Sequence, residues 1–148
     1  MQKFIQTFKL LTFILCFNSF MSVAEVNIKP EVVAKAKKSI VTIQSRISMS
    51  AYKFPGSWSG TGFVVDKKNG FIITNEHVVG RASIGTYFVT FDNGQQADAK
   101  LAYYDVWQDQ AILKVNPEDV PAAVEEISFT ADQPSLNQSV FIIGNNEG

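Results

Sequence analysis

The sequence predicts an all-β fold, a small antiparallel β-barrel preceded by one short helix. Three observations carry this. Six short runs are rich in β-branched and aromatic residues, at 40–43, 63–65, 71–73, 87–91, 95–103 and 111–115. Asn-Gly pairs, which tolerate positive φ in tight turns, separate consecutive runs at Asn69-Gly70 and Asn93-Gly94. Helical character is confined to one stretch near the start. The 148 residues suit one domain. Hydrophobic residues make up 46% and charged residues 18%, a globular composition. The net charge is −1, with both signs scattered, so no basic stripe points to a nucleic-acid partner.

Taken in order, residues 1–24 read as a secretory signal peptide, leaving 25–148 as the mature chain. Lys3 and Lys9 provide the positive start, 10–17 the apolar middle and Ser22-Val23-Ala24 the small-residue exit. A membrane anchor is the alternative, but the apolar stretch falls short of the roughly 20 residues a span needs. Lipid attachment at Cys16 is disfavoured, because Phe13-Ile14-Leu15 lacks small residues. The expectation is a periplasmic or secreted protein with no stable membrane span once the leader is removed. Cys16, the only cysteine, leaves with it. So do two positive charges and no acid, which takes the net charge from −1 to −3. One histidine and no mature cysteine cannot supply the usual zinc ligands, so no metal or other cofactor is expected.

Residues 28–38 predict the helix. Pro30 suits its first position. Glu31 near the start and Lys35, Lys37 and Lys38 near the end match the helix dipole. Val32, Val33 and Ala36 form one apolar face, so the helix reads as a packing element. The first strand follows at 40–43, then a polar loop over 48–57. The hairpin 63–73 turns through Asp66-Lys67-Lys68-Asn69-Gly70. Further strands lie at 87–91, 95–103 and 111–115. A polar connection with Pro117, Pro121 and Pro134 spans 116–138, and 139–143 (Ser-Val-Phe-Ile-Ile) starts one more strand.

Chemistry concentrates at two places. His77, the only histidine, follows the 71–73 run within Thr74-Asn75-Glu76-His77-Val78-Val79. A histidine at the end of a buried strand and followed by two valines is held in position, the mounting a general base needs. Asp109 lies 32 positions later, directly before the 111–115 strand, while Asp105 reads as a loop residue. In a Ser-His-Asp mechanism such a carboxylate accepts the imidazole Nδ1–H, fixes the tautomer and stabilises the imidazolium. On spacing alone, incidental surface or core residues remain the commoner reading of such a pair.

The chain resembles the amino-terminal part of an HtrA (DegP-like) protease, an exported branch of the trypsin-like serine proteases. The resemblance is carried by Ser59-Gly60-Thr61-Gly62-Phe63-Val64-Val65, by Gly70-Phe71-Ile72-Ile73-Thr74-Asn75-Glu76-His77-Val78-Val79 and by residues 105–115. It implies a trypsin-like first barrel, with Val140-Phe141-Ile142-Ile143-Gly144-Asn145 opening a second that is cut short. It implies His77 as general base, Asp109 as its orienting carboxylate, polypeptide substrates and a role in protein quality control. The family often forms trimers, so a homo-oligomer of the full-length protein is open. Gly60 and Gly62 fall where the family turns its strand tightly near the histidine. They are not a dinucleotide fingerprint, whose third glycine would fall at Val65.

Gln110 stands where the family has an aliphatic residue, and Asn146 where proline is common. The family's Gly-Asn-Ser-Gly-Gly nucleophile motif is absent from these residues, and Ser57, Ser59, Ser135 and Ser139 do not supply it. The expectation is therefore a fragment of a serine endopeptidase, inactive by itself. The alternatives are a non-catalytic remnant acting as a binding or chaperone-like module, and an exported β-domain whose histidine and aspartate are incidental.

Overall fold

The computed structural model describes residues 29–50, 54–80 and 83–144. The expected leader, with Cys16, and Asn146 lie outside the described residues. The short helix α1 covers Pro30–Lys37, with Pro30 at its first position and Lys29 extended before it. None of its residues is buried, and Val32 is 46% exposed. The expected packing role is met only in part: Val33 and Ala36 are half-buried, and none of the three apolar side chains belongs to the core. What α1 contributes is its exit. Ser39, two residues beyond its end, is buried; its N–H donates to the Ala36 carbonyl and its carbonyl accepts from Val64 N–H.

Six antiparallel strands follow: β1 (Ile40–Ser50), β2 (Gly56–Asp66), β3 (Phe71–Thr74), β4 (Ser83–Phe91), β5 (Gln96–Asp105) and β6 (Gln110–Val115). They close in the order β1-β2-β3-β6-β5-β4, with β4 returning to β1. Along each strand, alternate residues point inward, as the two-residue period of a strand requires. Val41, Ile43 and Ile47 from β1 meet Val64, Ile72, Val89, Phe91, Leu113 and Val115 in one core. Small Ala97, Ala99 and Ala111 complete it.

The predicted barrel is the observed one, with longer walls. Ser48, Met49 and Ser50 were expected in a loop but extend β1, where Met49 lies opposite Ile84 and Ser50 opposite Ser83. Likewise Gly56 and Ser57 open β2 opposite Ile47 and Arg46. Pairing with one neighbour, β4 for the end of β1 and β1 for the start of β2, overrides the weak strand preference of serine and glycine.

After β6 a 3-10 turn at Pro117–Asp119 leads the chain across one end of the barrel, where Val120 and Val124 are buried. Ile127 N–H then donates to the Val64 carbonyl, and Phe129 meets Phe63 with ring centroids 6.3 Å apart. The strand expected at 139–143 is not formed. Val140 and Ile142 are 73% and 95% exposed. An apolar run becomes a strand only when a neighbour takes up its backbone groups, and among the described residues no strand pairs with this one.

Candidate active site

Thr74 ends β3, and the chain then makes a single helical turn, α2, over Glu76–Val79. His77 therefore sits in a helical turn rather than on a strand end as expected. One turn is not stable alone, because nucleating a helix orders several residues for one hydrogen bond. Here the barrel holds it. Val78 and Val79 are buried at 5% and 0% exposure. Within the turn, Gly80 N–H donates to the Glu76 carbonyl at 2.9 Å. The Val78 carbonyl accepts from both Ser45 Oγ and Trp58 Nε1, each at 2.7 Å, and Tyr87 OH donates to the Val79 carbonyl at 3.0 Å.

The glycines of β2 matter for the same reason. A Cβ at Gly60 would lie 2.5 Å from Val78 Cγ2, and one at Gly62 would lie 2.6 Å from Ile43 Cδ1 and 3.0 Å from the Ile73 carbonyl. Both stand within extended β2, not in the tight turn expected of them. They are small because α2 and β3 pack against the strand at this point.

Asp109 arrives from the other side. Asp105 closes β5, and its Oδ1 accepts from Trp107 N–H at 2.8 Å and Gln108 N–H at 3.1 Å, which folds the turn. Asp109 ends that turn at φ 51°, a left-handed conformation uncommon for a residue with a side chain. Because Thr74 of β3 lies opposite Ala111 of β6, the residues just beyond β3 and just before β6 are neighbours.

The structure brings His77 and Asp109 together. His77 N–H donates to Asp109 Oδ1 at 3.0 Å, and His77 Nδ1 lies 2.8 Å from Asp109 Oδ2. Asn75 Nδ2 donates to Oδ2 at 3.2 Å and to the Asp109 carbonyl at 3.1 Å. The His77 backbone N–H is the largest influence holding the Asp109 carboxyl below its ordinary value. The imidazole and Asn75 add to it, against an opposing effect of burial. An ionised carboxylate can only accept, so the 2.8 Å contact calls for the proton on Nδ1 and makes Nε2 the basic nitrogen of the neutral ring. The two side chains are 62% and 45% exposed, so the pair opens onto the surface.

Sequence reasoning gave no role to Asn75, Ser45, Trp58 or Tyr87. Asn75 had an available signal, two positions before the histidine. The other three come from β1, β2 and β4, and nothing local marks them. No group of three or more His, Cys, Asp or Glu that could hold a metal occurs among the described residues.

A family described as the trypsin-like peptidase domain matches residues 60–148, the span that includes β3, α2 and β6. The chain belongs to this family. Among curated relatives, the pro-apoptotic serine protease NMA111 of Meyerozyma guilliermondii is 33% identical over 118 residues, covering 78% of this chain and 12% of that protein. Its namesake in Aspergillus niger is 32% identical over 120 residues, covering 75% of this chain and 11% of that one. The chain thus spans about a tenth of the length of these relatives. A serine endoprotease from Yersinia pestis overlays with a TM-score of 0.47 at 26% identity, over 62% of this chain and 30% of that chain. As a trypsin-like peptidase domain of the HtrA and NMA111 type, the described portion is one closed barrel, with His77 and Asp109 facing each other where β3 and β6 run side by side.

Proposed function

We propose that this chain provides the base-bearing barrel of an exported HtrA-type serine endopeptidase that cleaves polypeptides by acyl transfer. The observation that carries the reading is the double contact of Asp109 with His77, to the ring at 2.8 Å and to the backbone at 3.0 Å. That geometry supports the tautomer with the proton on Nδ1, in which Nε2 is the nitrogen that serves as base. In the proposed reaction Nε2 takes the proton of a serine hydroxyl, whose oxygen attacks the scissile carbonyl. Asp109 stabilises the imidazolium until the proton passes to the leaving amine, and water then releases the acyl group by the same route reversed. The serine and its oxyanion hole would come from the glycine-flanked motif that the family resemblance implies, which residues 1–148 do not contain. Export rests on the leader-like residues 1–24. Quality control and a homo-oligomeric full-length protein rest on the HtrA resemblance.

The test is casein cleavage by the full-length protein. His77→Ala should lower kcat by roughly 10⁴-fold or more without changing the thermal midpoint beyond a few degrees. Cleavage at the wild-type rate would refute the assignment and move the chain to a binding or chaperone-like role. Amino-terminal sequencing of the exported protein tests the leader: residue 25 should be the first found.

A further inference from the structure

We propose that Ser45, Trp58 and Tyr87 are positioning residues, which aim the His77 ring at Asp109 by gripping the last two carbonyls of α2. The proposal rests on the reading of His77 as the base and deepens it. A four-residue helix leaves most of its backbone groups without internal partners, and here the terminal carbonyls are taken by side chains from three different strands. Ser45 is fully buried, Tyr87 is 6% exposed, and both point their hydroxyls at α2. Trp58 packs against the core and turns its ring N–H to the oxygen that Ser45 also binds. Two donors at 2.7 Å occupy both lone pairs of the Val78 carbonyl and so fix the direction of that C=O bond.

That direction matters because the Val78 peptide is one residue beyond His77, while Asp109 holds the His77 N–H on the other side. The His77 Cα is thereby clamped from both ends. A rotation of α2 by a few tens of degrees would swing Nδ1 out of reach of Oδ2, and proton transfer is steep in such displacements. If these bonds merely satisfied buried carbonyls, their loss would lower stability and leave the ring's geometry alone. The two accounts therefore differ in what they do to the His77–Asp109 contact.

The experiment uses the full-length protein with Ser45→Ala, Trp58→Phe and Tyr87→Phe. Ser45→Ala and Trp58→Phe should each lower kcat about 10-fold, and together roughly 10²-fold, with KM within about two-fold of wild type. Tyr87→Phe should have a smaller effect in the same direction. Ser45→Thr, which keeps a hydroxyl, should recover most of the loss. In an Asp109→Asn background Ser45→Ala should add nothing, because both act through one contact. As a control, Val120→Ala, in the core beneath the 3-10 turn, should lower the thermal midpoint and leave kcat unchanged. Unchanged kcat in Ser45→Ala and Trp58→Phe, or effects that simply add to Asp109→Asn, would overturn the proposal.

A readout independent of turnover is the far-downfield proton resonance of the His77 ring N–H bonded to Asp109, assigned by its loss in His77→Ala. It should shift or broaden in Ser45→Ala and Trp58→Phe and persist unchanged in Val120→Ala. An unchanged resonance in the first two sinks the positioning role whatever the fate of the catalytic assignment. Full activity of His77→Ala sinks that assignment and leaves the resonance to decide the geometry.

Discussion

The turn from β2 to β3 and the turn from β5 to β6 share one plan and differ at its last position. Each runs through five residues, from Asp66 to Gly70 and from Asp105 to Asp109. Each opens with an aspartate that draws the chain round. Asp66 Oδ1 accepts from Asn69 N–H at 2.9 Å, and Asp105 Oδ1 accepts from Trp107 and Gln108 N–H at 2.8 and 3.1 Å. Each closes on a left-handed residue, Gly70 at φ 72° and Asp109 at φ 51°. Glycine takes that conformation freely, whereas a residue with a Cβ is destabilised by about 1 kcal/mol, somewhat less for aspartate. The structural turn uses the relaxed residue. The turn at the site places a carboxylate at the strained position, from which it reaches both the ring and the backbone of His77.

The largest effect that would break this contrast is on turnover. Asp109→Asn keeps a side chain that tolerates the left-handed region but removes the charge that fixes the histidine tautomer. In the full-length protein kcat should fall roughly 10⁴-fold, while urea unfolding shifts by no more than about 1 kcal/mol. A kcat within about ten-fold of wild type would mean that the strained aspartate is only a turn residue. Next comes Gly70→Ala. Its Cβ would press on the Val115 carbonyl in addition to the cost of positive φ, so unfolding should lose about 3 kcal/mol. Gly94, at φ 81° with nothing within 4 Å of a Cβ, separates the two contributions. Gly94→Ala should cost only about 1 kcal/mol by the same measurement.

The smallest effect is acid sensitivity. Asn69 holds the Asp66 carboxyl below its ordinary value, chiefly through its side chain, and the His77 N–H does the same for Asp109. Stability from both is complete above the ordinary aspartate range and is lost as pH falls through their lower folded values. Thermal midpoints measured from about pH 5 down to about pH 2 should fall, and Asp109→Asn should flatten that fall.

The strand centres were legible because their β-branched and aromatic residues alternate, and the Asn-Gly pairs marked two of the turns. His77 and Asp109 could be singled out because each adjoins a strand run. The strand ends were not legible. Ser50 and Ser57 carry no strand signal and are extended because a neighbour pairs with each, and Ser48 sits at the register irregularity between Ile47 and Met49. Nor was α2, a turn too short for any periodicity and maintained by contacts from Ser45, Trp58 and Tyr87. Glycines 60 and 62 looked like turn residues, since a sequence shows that a side chain is missing but not what lies against the gap. The apolar pattern at 139–143 misled for the opposite reason, a strand signal with no described partner.

The strand order has a further consequence for how the site comes into being. Four of the pairings, β1 with β2, β2 with β3, β4 with β5 and β5 with β6, join strands adjacent in sequence and can form as local hairpins. None of them brings His77 to Asp109. Only the pairing of β3 with β6 does, and the grip of Ser45 and Trp58 on α2 needs β1 and β2 in place as well. Such distant pairings form late, since their loop entropy must be overcome first. The His77–Asp109 contact is thus a product of barrel closure, and a newly made chain lacks it until its fold is nearly complete.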